Sequence, residues 1–360
     1  MILLLSINGC AHSKIKYEKP TFSKNWKVLH FSDKGPDMRP DFVRCIDFVD
    51  SKKGWIAGPN IPIMITENGG ESWKSLGIYA DTLDFIDNKI GWIAKTKRNE
   101  SEMAIIGAKT GVTFDGGRTW NWSFIPKVAI KKIIAISSKE AWAIARRGNY
   151  CDILLHTNNG PGKWEIIQNP VRKIDQINFE DIIFIDKNKG WILARKDLGK
   201  SSNDASLYIL GTADGGKTFY NSVIRKIKTG GSFVISFAPT GRGWIAYGGD
   251  SLLYSNDYGK HWQIIKPKFD NLEFSINGCA TIGADIIWGI TSHSVFFSQD
   301  NGRTWRKSTT GFDNFHNVEF KSIYFLDNKS GYILAEGGSY GSDTPPMPEH
   351  RISFIMKYHN

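Results

Sequence analysis

The chain of 360 residues has few residue patterns that could support catalysis. Gly337-Gly-Ser339-Tyr-Gly341 has the spacing of a serine-nucleophile turn. That turn needs a helix after the serine, and the prolines in Ser342–Pro348 exclude one. The eight histidines have no metal-ligand spacing, and no phosphate-binding glycine loop precedes a helix. We therefore predict no catalytic residue, no metal site and no cofactor.

Aspartates recur in an eight-residue box, Thr/Ser-x-Asp/Asn-x-Gly-x-x-aromatic, whose chemistry is that of a turn. Boxes begin at Thr66, Thr113, Thr212, Ser255 and Ser298, and a degenerate box lies between the second and third of these, at 157–164. The hydroxyl and the carboxylate can accept backbone N–H bonds inside a tight turn, and glycine supplies positive φ. We expect a structural role for the third residue of each box: Asn68, Asp115, Asn159, Asp214, Asp257 and Asp300.

A second motif, Gly-Trp or its equivalent between apolar runs, precedes each box. It begins at residues 54, 91, 141, 190, 243, 287 and 331, which makes seven units. Four short strands per unit predict an all-β, seven-bladed β-propeller with four antiparallel strands per blade. In the first blade we expect strands at 45–49, 55–58, 63–66 and 73–76. The last unit has no box, and residues 23–29 resemble the end of one. We therefore expect the N- and C-terminal strands to close the last blade together.

The first ten residues are a short apolar stretch that ends in a small residue and Cys10, and they resemble the end of a bacterial lipoprotein signal peptide. On this interpretation residues 1–9 are a partial signal peptide, Cys10 is lipidated, 10–21 form a tether and 22–360 form the propeller. The protein would then be extracytoplasmic and anchored to a bacterial membrane. A chance apolar N-terminus is the alternative. Cys45, Cys151 and Cys279 allow one disulfide at most, or buried thiols.

Both motifs belong to one face of the ring, so the irregular loops of the opposite face are the expected binding surface. The formal net charge is +10, and blades 3 to 5 concentrate cations on these loops. The cations indicate an acidic protein partner or, alternatively, only a solvated surface. Nucleic acid is not expected, because no basic strip is interleaved with stacking aromatics. The candidate partner-binding residues are Arg98, Arg146, Arg147, Arg172, Arg195, Lys196, Arg225 and Lys228.

The boxes and the Gly-Trp strands resemble those of Asp-box, or BNR-repeat, propellers across residues 22–360, and most of all those of the Ycf48/HCF136-like photosystem II assembly factors. This resemblance implies a non-catalytic, extracytoplasmic scaffold that binds another protein, as an assembly factor or an inhibitor. The alternative is a glycoside hydrolase or lectin with the same repeats, for which Asp204, Asp270 or Asp313 could supply paired carboxylates. A sialidase is disfavoured, because its Arg-Ile-Pro signature is missing and Asn60-Ile-Pro62 is the nearest match.

Overall fold

The structure of the protein, a computed structural model, describes most of the chain. The described residues are 25–31, 43–99, 104–148, 151–167, 177–198, 204–228, 232–248, 250–268, 276–282, 286–310, 318–327, 329–339 and 350–358. Cys10 and the predicted signal and tether segments lie outside these ranges. Among the described residues, no helix has the length and hydropathy of a membrane span.

The described part of the chain forms 27 strands in seven sheets, which are the blades. The first strand, β1 (Trp26–Phe31), belongs to the last blade. Blade 1 contains β2 (Cys45–Phe48), β3 (Gly54–Thr66) and β4 (Lys74–Ala80). Blade 2 contains β5 (Thr82–Phe85), β6 (Gly91–Arg98), β7 (Ile105–Thr113) and β8 (Asn121–Pro126). Blade 3 contains β9 (Val128–Ala135), β10 (Ala141–Arg147), β11 (Cys151–Thr157) and β12 (Glu165–Ile167).

The remaining four blades follow the same plan. Blade 4 contains β13 (Asn178–Phe184), β14 (Gly190–Asp197), β15 (Asp204–Thr212) and β16 (Tyr220–Lys228). Blade 5 contains β17 (Val234–Phe237), β18 (Gly243–Ala246), β19 (Leu252–Ser255) and β20 (Gln263–Ile265). Blade 6 contains β21 (Gly278–Ile282), β22 (Ile286–Ile290), β23 (Val295–Ser298) and β24 (Arg306–Ser308). Blade 7 contains β25 (Val318–Phe325), β26 (Gly331–Ser339) and β27 (His350–Tyr358).

The strands of every blade are antiparallel and lie side by side in chain order, with the first strand innermost. Blade 7 is completed by β1, which pairs with β27 so that Trp26 lies opposite Tyr358. These observations confirm the predicted seven-bladed propeller and its closure by the two terminal strands. Blade 1 differs in detail, because its second and third strands run into each other within β3. Gly58 and Ile61 each precede a proline there, which favours extended backbone.

Among the described residues, the core consists of seven apolar clusters, one at each joint between neighbouring blades. Side chains alternate along a strand, so Trp55 and Ala57 face blade 2 whereas Ile56 faces blade 7. Because both faces of the second strand are buried, its motif is apolar at every position. The motif aromatics occupy successive joints and are almost fully buried: Trp55, Trp92, Trp142, Trp191, Trp244, Trp288 and Tyr332.

Candidate functional site

The boxes form hydrogen-bonded turns at one end of the blades. In blade 2, Thr113 Oγ1 accepts a hydrogen bond from Gly117 N–H at 2.9 Å and donates to Asp115 Oδ1 at 2.8 Å. Asp115 Oδ1 also accepts the N–H of Thr119 at 2.9 Å. Although partial burial disfavours the charged form, hydrogen bonds from Thr119 and Thr113 lower the pKa of Asp115 to about 2. The carboxylate is therefore charged and held within its own turn.

The other boxes share this geometry, and the degenerate box departs from it. In blade 4, hydrogen bonds from Thr218 and Thr212 lower the pKa of Asp214 to about 2. The degenerate box has Pro161 at the fifth position, and Thr157 Oγ1 donates instead to Gly160 O at 2.7 Å. The third residues of the remaining boxes accept the corresponding bond from the Thr or Ser hydroxyl: Asn68, Asp257 and Asp300.

In blades 1 to 5 the box turn lies beside the turn that joins the first and second strands of the same blade. Gly116 N–H donates to Lys89 O at 2.9 Å in blade 2, and Gly215 N–H donates to Asn188 O at 2.9 Å in blade 4. We call the end of the ring that carries these turns the box face. The opposite end, with the connections between second and third strands and between blades, is the variable face. This arrangement leaves the irregular loops together on one side.

A central channel of about 1550 Å³ is lined by the first strands of the blades. At four joints, an aspartate of one blade accepts a hydrogen bond from a backbone N–H on the free edge of the next blade's first strand. The distances are 2.6 to 3.1 Å, and the pairs are Asp47 with Phe85 N–H, Asp84 with Ala135 N–H, Asp152 with Phe179 N–H and Asp181 with Ile235 N–H. The other three joints use Ser236 with Thr281, Phe320 N–H with Ser292 O, and Tyr324 OH with Phe48 O. Hydrogen bonds thus join neighbouring blades along the channel wall at every joint. At six of the seven joints they also engage a backbone group that would otherwise be unpaired.

Two of these carboxylates, Asp47 and Asp84, were not singled out from the sequence. Burial raises the pKa of Asp47 to about 6, against the opposing hydrogen bonds from the N–H groups of Phe85 and Phe48. Burial, and then the negative charge of Asp47, raise the pKa of Asp84 well above its usual value. The sequence signal that could have found them is an aspartate between two apolar residues of a strand, as in Ile46-Asp-Phe48 and Leu83-Asp-Phe85.

Cations from several blades line the half of the channel that is nearer the variable face: Arg44, Lys95, Arg98, Lys131 and Arg146. Several of them are paired within the ring. Asp152, whose side chain is 1% exposed, contacts Lys131 at 2.9 Å and Arg146 at 3.3 Å. Lys95 contacts Asp81 at 2.8 Å. The cation-rich mouth is therefore held in shape by its own acids.

The candidate partner-binding residues have different environments. Arg195 pairs with Glu180 at 2.9 Å and with Asp197, and its guanidinium lies 5.1 Å from the ring centroid of Phe233. Arg98 and Arg147 are exposed, and Lys196 is half-buried. Arg172 lies outside the described residues, as do the side chains of Arg225 and Lys228 on β16. The structure therefore brings Arg98 and Arg146 to one channel mouth, and Arg195 lies beyond it in blade 4.

The cysteines and candidate metal ligands show little reactive potential. Cys45 and Cys279 are free thiols, and burial raises the pKa of each to about 12. The Cys151 side chain is not described. Across the described ranges, no three His, Cys, Asp or Glu side chains converge as a metal site requires.

Comparison with known proteins shows that this chain is similar to Ycf48 proteins. The photosystem II assembly lipoprotein Ycf48 of Synechococcus sp. (strain CC9902) is 23% identical over 241 residues, which is 65% of this chain and 66% of the relative. The structure of Ycf48 bound to a D1 peptide superposes with a TM-score of 0.61 at 17% identity, over 95% of this chain and 98% of that chain. Ycf48 from Cyanidioschyzon merolae superposes with a TM-score of 0.58 at 16% identity, over 93% and 98%.

A GH74 xyloglucanase from Xanthomonas campestris has the same kind of fold, with a TM-score of 0.57 at 10% identity over 89% of this chain and 55% of that chain. No protein-family model matches the chain. The superpositions, all at low identity, establish the fold, and the sequence match adds a specific relative. Together with the ring of seven blades, they show that the chain is a β-propeller similar to Ycf48 proteins.

Proposed function

We propose that the protein is a non-catalytic, extracytoplasmic scaffold that binds another envelope protein at the variable-face mouth of its channel. The observation that carries the proposal is the group of cations that lines this end of a 1550 Å³ channel. Arginine binds carboxylates through two parallel hydrogen bonds, so an acidic segment or chain end of a partner suits the mouth. Ycf48 has been captured with a D1 peptide, which supports a peptide segment as the ligand.

Attachment through a lipidated Cys10 to a bacterial membrane is part of this proposal. The support is the lipoprotein-like sequence before residue 11 and the description of the Synechococcus relative as an assembly lipoprotein. An assembly factor, or an inhibitor of another protein, would both act by binding without turnover.

Charge reversal at Arg98 in the mouth and at Arg147, which follows the mouth residue Arg146, tests the binding proposal. Arg98→Glu/Arg147→Glu changes two exposed side chains and leaves the Asp152 ion pairs in place. The amount of partner that is crosslinked and recovered from envelope fractions should fall about tenfold. The introduced glutamates repel an acidic partner, and the arginines that would attract it are gone. Lys217→Glu on the box face is the matched control and should leave recovery unchanged. Equal recovery with all three proteins would reject the mouth as the binding site.

A glycoside hydrolase is the second candidate, and the raised pKa of Asp47, about 6, beside Asp84 in the channel favours it. One oxygen of each carboxylate is engaged by a backbone N–H, of Phe85 and of Ala135. Asp204, at the start of β15, is half-buried, and Asp270 and Asp313 lie outside the described residues. Hydrolysis of xyloglucan, β-glucans or sialosides that disappears in Asp84→Asn would establish an enzyme and reject the scaffold.

A further inference from the structure

Exposed apolar side chains are concentrated on blade 2. Among the described residues, nine large apolar side chains are exposed, and five of them belong to this blade: Ile86, Ile106, Phe114, Trp122 and Phe124. Phe114 is 51% exposed at the second box position. The same position of the other boxes is polar or small: Glu67, Asn158, Ala213, Asn256 and Gln299. The box turn itself does not require an aromatic there.

Three of the five side chains lie at the box-face end of blade 2. Ile86 and Phe114 lie in the two turns that the Gly116–Lys89 backbone hydrogen bond joins. Trp122 follows the box by two residues, and its ring centroid is 5.9 Å from that of Trp120. We call Ile86, Phe114 and Trp122 the blade 2 corner.

Cations surround the blade 2 corner. Lys89 and Arg118 are exposed in the same two turns, and Lys109 Nζ lies 3.9 Å from the Trp122 ring centroid. The acids of these turns are hydrogen-bonded within the turns, although Asp87 stays exposed. Asp87 Oδ1 accepts two backbone N–H bonds at 2.7 Å, and Asp115 accepts that of Thr119. The surface therefore combines exposed apolar side chains with exposed cations, and its acids are engaged by backbone N–H groups.

The N-terminal strand enters the ring on this same face. Trp26, at the start of β1, lies opposite Tyr358, and Lys27 Nζ contacts Glu71 of the blade 1 box at 2.6 Å. The other acid of that box, Glu67, lies 3.8 Å from Lys53 Nζ. The start of β1 thus lies at the box face, where each glutamate of the blade 1 box contacts a lysine.

We propose that the blade 2 corner contacts an anionic lipid surface and tilts the ring, so that the blade 2 edge of the box face meets the membrane and the blade 4 edge does not. The proposal rests on the proposed membrane attachment of the N-terminus. Phenylalanine and tryptophan settle at the boundary between headgroups and acyl chains, and lysine and arginine reach the lipid phosphates. Three side chains are too few to hold a protein on a bilayer alone, so the corner orients a protein that another element anchors. The variable face then points away from the membrane, toward its partner.

A fluorophore at the corner tests this orientation. The full chain, with Cys10→Ser and Cys151→Ser, is held by an N-terminal histidine tag on vesicles that contain nickel-chelating lipid. The vesicles are phosphatidylcholine with or without phosphatidylglycerol. An NBD label at Asn88→Cys, in the turn between Ile86 and Lys89, should shift to the blue and roughly double its emission on vesicles with phosphatidylglycerol. The tag makes the result independent of lipidation at Cys10.

The matched control is the same label at Asn188→Cys, in the corresponding turn of blade 4. Its emission should stay close to that of the free protein. Phe114→Ser/Trp122→Ser should abolish the response at position 88. Equal responses at both labels, a response that survives the double substitution, or one that requires an added protein instead of lipid would each overturn the proposal. None of these outcomes depends on Arg98 or Arg147, so the test is separate from that of the channel mouth.

Discussion

Trp55 of blade 1 and Phe85 of blade 2 stack face to face, with ring centroids 3.6 Å apart and planes 3° from parallel. Phe85 also lies across from Gly91 of its own blade, where an added Cβ would be 2.3 Å from the ring. Blade 3 has Ala135 opposite Ala141, and blade 6 has Thr281 opposite Ile287. The glycine of the Gly-Trp motif is therefore present where a phenylalanine lies across from it and is replaced where none does.

We expect Gly91→Ala to destabilise the protein by about 1–3 kcal/mol, because the new methyl group overlaps the Phe85 ring. Phe85→Ala should cost about 3–5 kcal/mol through the lost joint packing. The double variant recreates the pairing of blade 3, so it should be more stable than the sum of the two changes predicts. Urea unfolding measures all three. Gly162→Ala, with no atom near the added Cβ, is the control, and additive effects would contradict this account.

Trp26 should be the most sensitive residue of the closing strand. Its side chain is fully buried, and its Nε1 donates to Ser308 Oγ at 3.0 Å in blade 6. Trp26→Ala should lower the free energy of unfolding by about 3–5 kcal/mol, and Ser308→Ala by about 1 kcal/mol. Trp122→Ala removes an exposed tryptophan and should cost far less. Similar losses for Trp26 and Trp122 would mean that β1 does not close the ring in solution.

Asp47 should make the protein less stable as the pH rises. Its pKa is about 6 in the folded chain and near 3.8 in the unfolded chain. Its favourable contribution is therefore complete below about pH 4 and is lost as the pH rises through 6. Asp47→Asn keeps an acceptor for Phe85 N–H without the buried charge. Relative to this variant, the parent protein should lose about 1–3 kcal/mol between pH 4 and 7 in denaturant titrations. A difference that is independent of pH would show that Asp47 ionises normally.

The described thiols should be unreactive in the folded protein. With a pKa of about 12, Cys45 and Cys279 have almost no thiolate at pH 8. In a chain with Cys10→Ser and Cys151→Ser, Ellman's reagent should detect no thiol before unfolding and both thiols in guanidinium chloride. Rapid labelling of the native chain would place one of them at an accessible position.

The repeats made the fold predictable because each Gly-Trp strand and each box marks a fixed position in a blade. The closing strand was also predictable, since residues 23–29 resemble the end of a box. The arrangement of side chains at the channel mouth was harder to predict from the sequence. Lys132 pairs with Asp181, 49 residues away in the next blade, and sequence gives no direction for either side chain. For the same reason Arg146 and Arg195 looked free in the sequence, whereas both form ion pairs within the ring.

The closure of blade 7 by the N-terminal strand β1 has a mechanical consequence. The pairing of β1 with β27, together with the packing of Trp26, joins the N-terminal strand to its blade through non-covalent contacts alone. A pulling force applied ahead of Asn25 reaches these contacts before those of any other blade. Forced unfolding from the N-terminus should therefore begin with detachment of β1, which opens the ring while six blades remain intact.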